Sequence, residues 1–274
     1  MYEILTVAKK EFMDNWRNKW IIAVSAIFMI LTLVISYFGS LRSSGWQDLE
    51  ATIGGMMSLV QLLVPIIALM LGYAAISGER ERGSLMLMLS YPVTRLEVLI
   101  GKFLGLGAVL AVAESIGFGV AGGVIALNVT GVQWGDYLVF ILSSILLGLV
   151  FISVALLFSS IFKKRSTSLG GAIMLWFLFS MIWGIILSGI IIARYGFEVF
   201  TDPDWVGPTW YYAASIINPI SAFSVLVSLN VTPVQTNVIR MPSFYTTPLM
   251  LLILLAWIVG SLLLAHVILN RQDL

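Results

Sequence analysis

At 274 residues, 59% of them hydrophobic and 11% charged, with a mean hydropathy of +1.01, the chain is too apolar to be a soluble domain. It has no cysteine and one histidine, His266, which excludes disulfides, cysteine-based zinc sites, iron–sulfur clusters, thiol catalysis and a multi-histidine metal site. A formal charge of +1 gives no pointer to nucleic acid, and the first apolar run is too long, and lacks the Ala-x-Ala site, for a removable signal peptide.

Residues 2–18 read as an amphipathic helix, because Ile4, Ala8, Phe12 and Trp16 recur every fourth position while Lys9, Lys10, Asp14 and Arg17 take other faces. Such a helix suits a membrane–water interface, with Trp16 and Trp20 at headgroup level. Six apolar segments follow, at about residues 20–38, 56–76, 96–127, 137–162, 169–193 and 248–269. Each is near or above the roughly 20 residues that a helix needs to cross a bilayer. The expected fold is all-α: one polytopic membrane domain over residues 1–274, with six transmembrane helices. The third segment is long, so its first turns, with Lys102, are expected to project beyond the membrane. Glu114 is the only acidic residue well inside a span. A carboxylate there faces a bundle interior or a water-filled path, so it reads either as a translocation-path residue or as a group bonded to a neighbouring helix. Gly117, Gly119, Gly122 and Gly123 follow it, and Gly101-x-x-x-Gly105 precedes it, all read as sites of close helix approach.

With the N-terminus inside, 12 of the 15 Lys and Arg fall on the cytoplasmic side, including Lys163, Lys164 and Arg165; Arg42, Arg194 and Arg240 do not. The positive-inside rule therefore places both termini in the cytoplasm. The outer loops at 39–55 and 128–136 are short, whereas 194–247 is long and carries Trp205, Trp210, Tyr211 and Tyr212. Within it, 216–231 is too short to span and is interrupted at Asn218-Pro219, so it reads as one or two short helices at, or dipping into, the outer leaflet.

The densest charge cluster lies between the second and third spans. Arg80, Arg82, Arg95 and Lys102 sit beside Glu79, Glu81 and Glu97, in a loop taken as 77–95. A short helix is predicted from Ser84 to Ser90, ended by Tyr91 before Pro92. Thr94 with Glu97 forms a capping box that starts the next helix. The loop is either a solvated topology determinant or, because Leu85 to Leu89 is an exposed apolar run, a docking element for a protein partner.

The residues themselves carry a likeness. Gly-Glu-Arg-Glu-Arg-Gly-Ser-Leu from Gly78, Leu-Ser-Tyr-Pro-Val-Thr-Arg from Leu89, and Gly101-Lys102 together resemble the cytoplasmic loop of ABC-2 type transporter permeases. The resemblance implies a coupling helix that docks on an ABC ATPase subunit, with Glu79, Arg80, Glu81, Arg82, Gly83, Ser84, Leu85, Leu87, Leu89, Pro92 and Arg95 in the contact. It also implies export across the cell membrane, and a second permease copy or a paralogue completing the path. ATP and Mg would sit on the ATPase, since this chain offers no cofactor site. Asn-Pro-Ile-Ser-Ala-Phe at Asn218–Phe223, and the overall length, further resemble permeases of nitrous-oxide-reductase maturation systems.

The absent motifs agree with a divided machine. Gly101-Lys102 lacks the spacing and the hydroxyl residue of a P-loop, so if ATP drives this protein a separate subunit must hydrolyse it. No His-Glu-x-x-His, nucleophile elbow or intramembrane aspartate pair occurs. The alternative is a secondary transporter or channel without an ATPase, which usually carries several intramembrane charges or interrupted repeats; a membrane enzyme ranks third.

Overall fold

In hydrocarbon every backbone N–H and C=O must find its partner within the segment, so the apolar runs form helices. The computed structural model describes residues 2–38, 49–83, 93–129, 133–200, 205–231 and 242–272, and no strand occurs among them. The helices are α1 (Tyr2–Arg17), α2 (Trp20–Phe38), α3 (Leu49–Gly72), α4 (Ser77–Glu81), α5 (Arg95–Ala126), α6 (Trp134–Ile161), α7 (Arg165–Phe177), α8 (Trp183–Tyr195), α9 (Thr209–Ile217), α10 (Pro219–Asn230) and α11 (Thr247–Asn270). A π-helical turn, Leu178–Ile182, joins α7 to α8. Six of the described helices are long and apolar enough to cross a membrane, counting α3 with α4 and α7 with α8 as single spans.

Local signals set most boundaries. Lys19, at φ 59°, separates α1 from α2, and Gly83, at φ 71°, follows the end of α4. The Thr94/Glu97 capping box opens α5 as expected: Glu97 N donates to Thr94 Oγ1 at 3.2 Å, and Thr94 N donates to Glu97 Oε2 at 2.8 Å. Thr246 and Asn218 cap α11 and α10, each followed within two residues by a proline that needs no N–H partner there.

Two boundaries differ most from the sequence reading. The second span begins at Leu49, earlier than 56, because Ile53 and Met56 are buried and their packing outweighs the poor helix propensity of Gly54 and Gly55. The loop taken to start at Ser77 begins as a helix. Ser159 on α6 accepts hydrogen bonds from Ile76 N and Ser77 N, both at 2.9 Å, and so satisfies the first turn of α4 from outside it.

α6 is the most buried span, packed against α3, α5 and α11, while the Arg165–Tyr195 span is the least buried. α2 lies along α5, where a Cβ at Gly117 would come within 2.6 Å of the Ser25 carbonyl oxygen. Beside that contact the rings of Phe28, Phe118 and Phe140 meet in series, tilted and then edge-on, at 4.8 and 5.6 Å between centroids. Gly119 and Gly123 meet no neighbour among the described residues at the position of a Cβ, so they serve no close packing there.

Candidate functional site

The amphipathic helix α1 docks on the start of α5. Its inward face runs through Ile4, Val7, Ala8, Glu11 and Phe12, whereas Trp16 is half exposed. The contact depends on Gly101 and Gly105: a Cβ at Gly105 would lie 2.6 Å from the Ala8 carbonyl oxygen and 2.7 Å from Glu11 Cβ. This close approach carries Glu11 over Lys102.

Lys102 is 1% exposed, covered by α1 and α4. Its Nζ donates to Glu11 Oε1 at 2.6 Å and to Glu79 Oε1 at 2.8 Å, and Lys10 Nζ reaches the same Glu79 oxygen at 3.4 Å. A buried ammonium is costly unless paired and bonded; here two carboxylates from α1 and α4 meet one lysine from α5, with Lys10 balancing the charge. A cavity of about 830 Å³ opens over this cluster, lined by Asp14, Arg17 and Arg82 among others.

A second set of bonds ties α4 and α5 to the end of α11. Arg80 donates to Gln272 Oε1 and, at 3.3 Å, to the Phe162 carbonyl. Gln272 Nε2 donates to the Ser160 carbonyl at 3.0 Å. Arg95 donates to the carbonyls of Leu269 and Gln272, the latter at 3.0 Å, and so sets a positive charge at the C-terminal end of α11. On the outer side of α4, Glu81 takes Arg165 Nε at 2.7 Å and Arg165 N at 2.8 Å, which caps the start of α7.

The charges grouped by sequence therefore divide among three bonded sets, around Lys102, the end of α11 and Arg165. Glu79, Arg80 and Arg95 are engaged within the chain, while Glu81, Arg82 and Gly83 lie on the surface. Ser84, Leu85, Leu87, Leu89 and Pro92, with the helix expected from Ser84 to Ser90, lie outside the described residues. Glu11, Ser159 and Gln272 were not anticipated. Of the three, only Glu11 left a trace, as a carboxylate beside the apolar face of α1 opposite Gly101-x-x-x-Gly105.

Glu114 lies inside the bundle, fully buried between α5 and α6. Ser144 Oγ donates to its Oε2 at 2.7 Å, and Oε1 meets no donor among the described residues. Among those residues no group of three or more His, Asp and Glu is placed to hold a metal ion.

Six apolar spans, an N-terminal helix locked to the third of them, and a charge-dense junction at one end make this a multi-pass helical membrane protein of the transporter kind. A family model described as ABC-2 family transporter protein matches residues 5–274. The chain belongs to that family and is an ABC transporter permease subunit. It is 36% identical over 285 residues to a probable ABC transporter permease protein NosY of Stutzerimonas stutzeri, and this alignment covers 99% of each chain. It is 35% identical over 280 residues to the protein of the same description from Pseudomonas aeruginosa, again over 99% of each. The family implies an ATPase partner.

Proposed function

We propose that this chain is the membrane half of an ATP-driven exporter in the cell membrane, with both termini in the cytoplasm and its ATPase subunit docked on the charged junction. The observation that carries this reading is the linkage of α4. Bonds from its five residues and its flanks reach α1, α5, α6, α7 and the end of α11, so a push on α4 is delivered to both ends of the chain together. Glu81, Arg82 and Gly83, with the segment 84–92, form the outward contact. Six spans are half a transporter, and a second copy meets the first to complete the path. ATP and Mg act on the ATPase subunit, and this chain does no chemistry of its own. The full-length likeness to the two NosY permeases supports the reading drawn above from Asn218–Phe223. On that reading the transporter serves nitrous-oxide-reductase maturation, with a sulfur- or copper-containing species as cargo. For Glu114, complete burial and the bond from Ser144 favour a tie between α5 and α6 over a wall of the path.

Co-purification of the ATPase with permease variants tests the docking. Exposed ion pairs contribute about 0–1 kcal/mol each, whereas a fully buried leucine contributes roughly 1.5–3 kcal/mol. Leu87→Ser with Leu89→Ser is expected to release the ATPase, and Arg82→Gln to weaken it slightly. Full retention by the double variant, at normal membrane expression, rejects the assignment.

A further inference from the structure

The hairpin α9–α10 bends by 108° at Asn218. Its corner sits level with the middles of two spans. Asn218 contacts Phe179, central in Arg165–Tyr195, and the neighbouring Ile217 contacts Trp257, central in Thr247–Asn270. The end of α9 leaves carbonyls without helical partners, which apolar spans must satisfy from within the protein. The neighbouring spans supply donors. Trp183 Nε1 donates to the Ala214 carbonyl at 3.2 Å, and Trp257 Nε1 to the Ile217 carbonyl at 2.9 Å. Asn218 N donates to the Ser215 carbonyl at 3.2 Å.

The Asn218 side chain makes two bonds that require both ends of an amide. Its Oδ1 accepts from Ile220 N at 2.9 Å and caps α10, while its Nδ2 donates to the Phe179 carbonyl at 2.7 Å. Phe179 belongs to the π-helical turn, where Trp183 N bonds the Leu178 carbonyl five residues back. Such turns, with a side chain inserted at the backbone, are where helices bend. α10 packs on α6 and α11, so the amide bond fastens the middle of the least buried span to the core.

We propose that Leu178–Ile182 is a hinge in the fifth span and that Asn218 is its pin, holding the hinge point to the α10–α11 core while α7 and α8 change their mutual angle. The inference depends on neither the ATPase nor the cargo.

Cysteine pairs introduced into this cysteine-free chain, spin-labelled and diluted with unlabelled chain in lipid nanodiscs, test it by distance measurement. Met174–Ile190 spans the π turn, and Leu251–Val267 spans an uninterrupted stretch of α11. All four residues are exposed, and both pairs are 16 positions apart, roughly 24 Å along a straight helix. The Met174–Ile190 distribution is expected to be at least twice as wide as the Leu251–Val267 one; equal widths overturn the hinge. Met181–Leu255 reports the pin. Asn218→Ser keeps a cap acceptor but loses the donor to Phe179, and is expected to widen Met181–Leu255 at least twofold while Leu251–Val267 stays unchanged. No widening, or equal widening of both pairs, overturns the pin. If that variant does not reach the membrane, Asn218→Thr, likewise a cap acceptor without the donor to Phe179, is expected to widen Met181–Leu255 in the same way; an unchanged width there overturns it as well.

Discussion

Removing the Lys102 ammonium tests whether the charged junction is a buried network or a solvated cluster. Lys102→Met keeps the length and apolar stem of the side chain. It leaves Glu11 and Glu79 facing each other without the ammonium that joins them, while Lys10, itself half exposed, stays on Glu79. Breaking a buried ion pair by deleting one partner costs about 3–5 kcal/mol, because the remaining charge is uncompensated. At about 2–4 °C per kcal/mol for a chain near this size, the expected loss is roughly 6–20 °C in Tm. The assay is thermal unfolding of the purified permease in detergent. Replacing all three together, with Glu11→Leu and Glu79→Leu added to Lys102→Met, removes the stranded charges and is expected to recover most of the loss. Lys10→Ala is expected to cost less than about 1 kcal/mol, since its ammonium is solvent-screened. A Lys102→Met protein that melts with the native one refutes the reasoning, because the carboxylates would then be solvated and the contact of α1 with α4 incidental.

Gly105→Val is expected to lift α1 from α5, seen as faster hydrogen exchange across Tyr2–Arg17, because its side chain would meet the Ala8 carbonyl and Glu11; unchanged exchange would count against the close contact. Ser144→Ala takes the one donor from Glu114 Oε2 and is expected to cost about 1–3 kcal/mol in thermal stability. If Glu114 is instead a path residue, Glu114→Gln abolishes transport while Tm holds. Cysteines placed at Ser44 and Thr236 are expected to react with an impermeant reagent applied outside, and those at Ser84 and Ser166 not to; labelling of Ser84 would reverse the topology.

The spans were legible in the sequence because lipid imposes one local rule on each segment, a long apolar run with its backbone bonds closed internally. The start of α5 was legible for the same reason of locality, since Thr94 and Glu97 sit three residues apart and make both bonds of the cap themselves. The identities of charge partners were not. Lys102 finds Glu11 at a separation of 91 residues, and Arg80 finds Gln272 at 192, distances over which spacing carries no information. The sequence grouped Glu79, Arg80 and Arg95 as a surface patch because they are neighbours along the chain. Packing engages them within the chain: α4 turns Glu79 inward, and the end of α11 arrives between Arg80 and Arg95, which both bond Gln272. Tertiary structure alone also set the role of Ser159, a hydroxyl on an apolar span that caps a helix 82 residues away, because a cap need only be near in space.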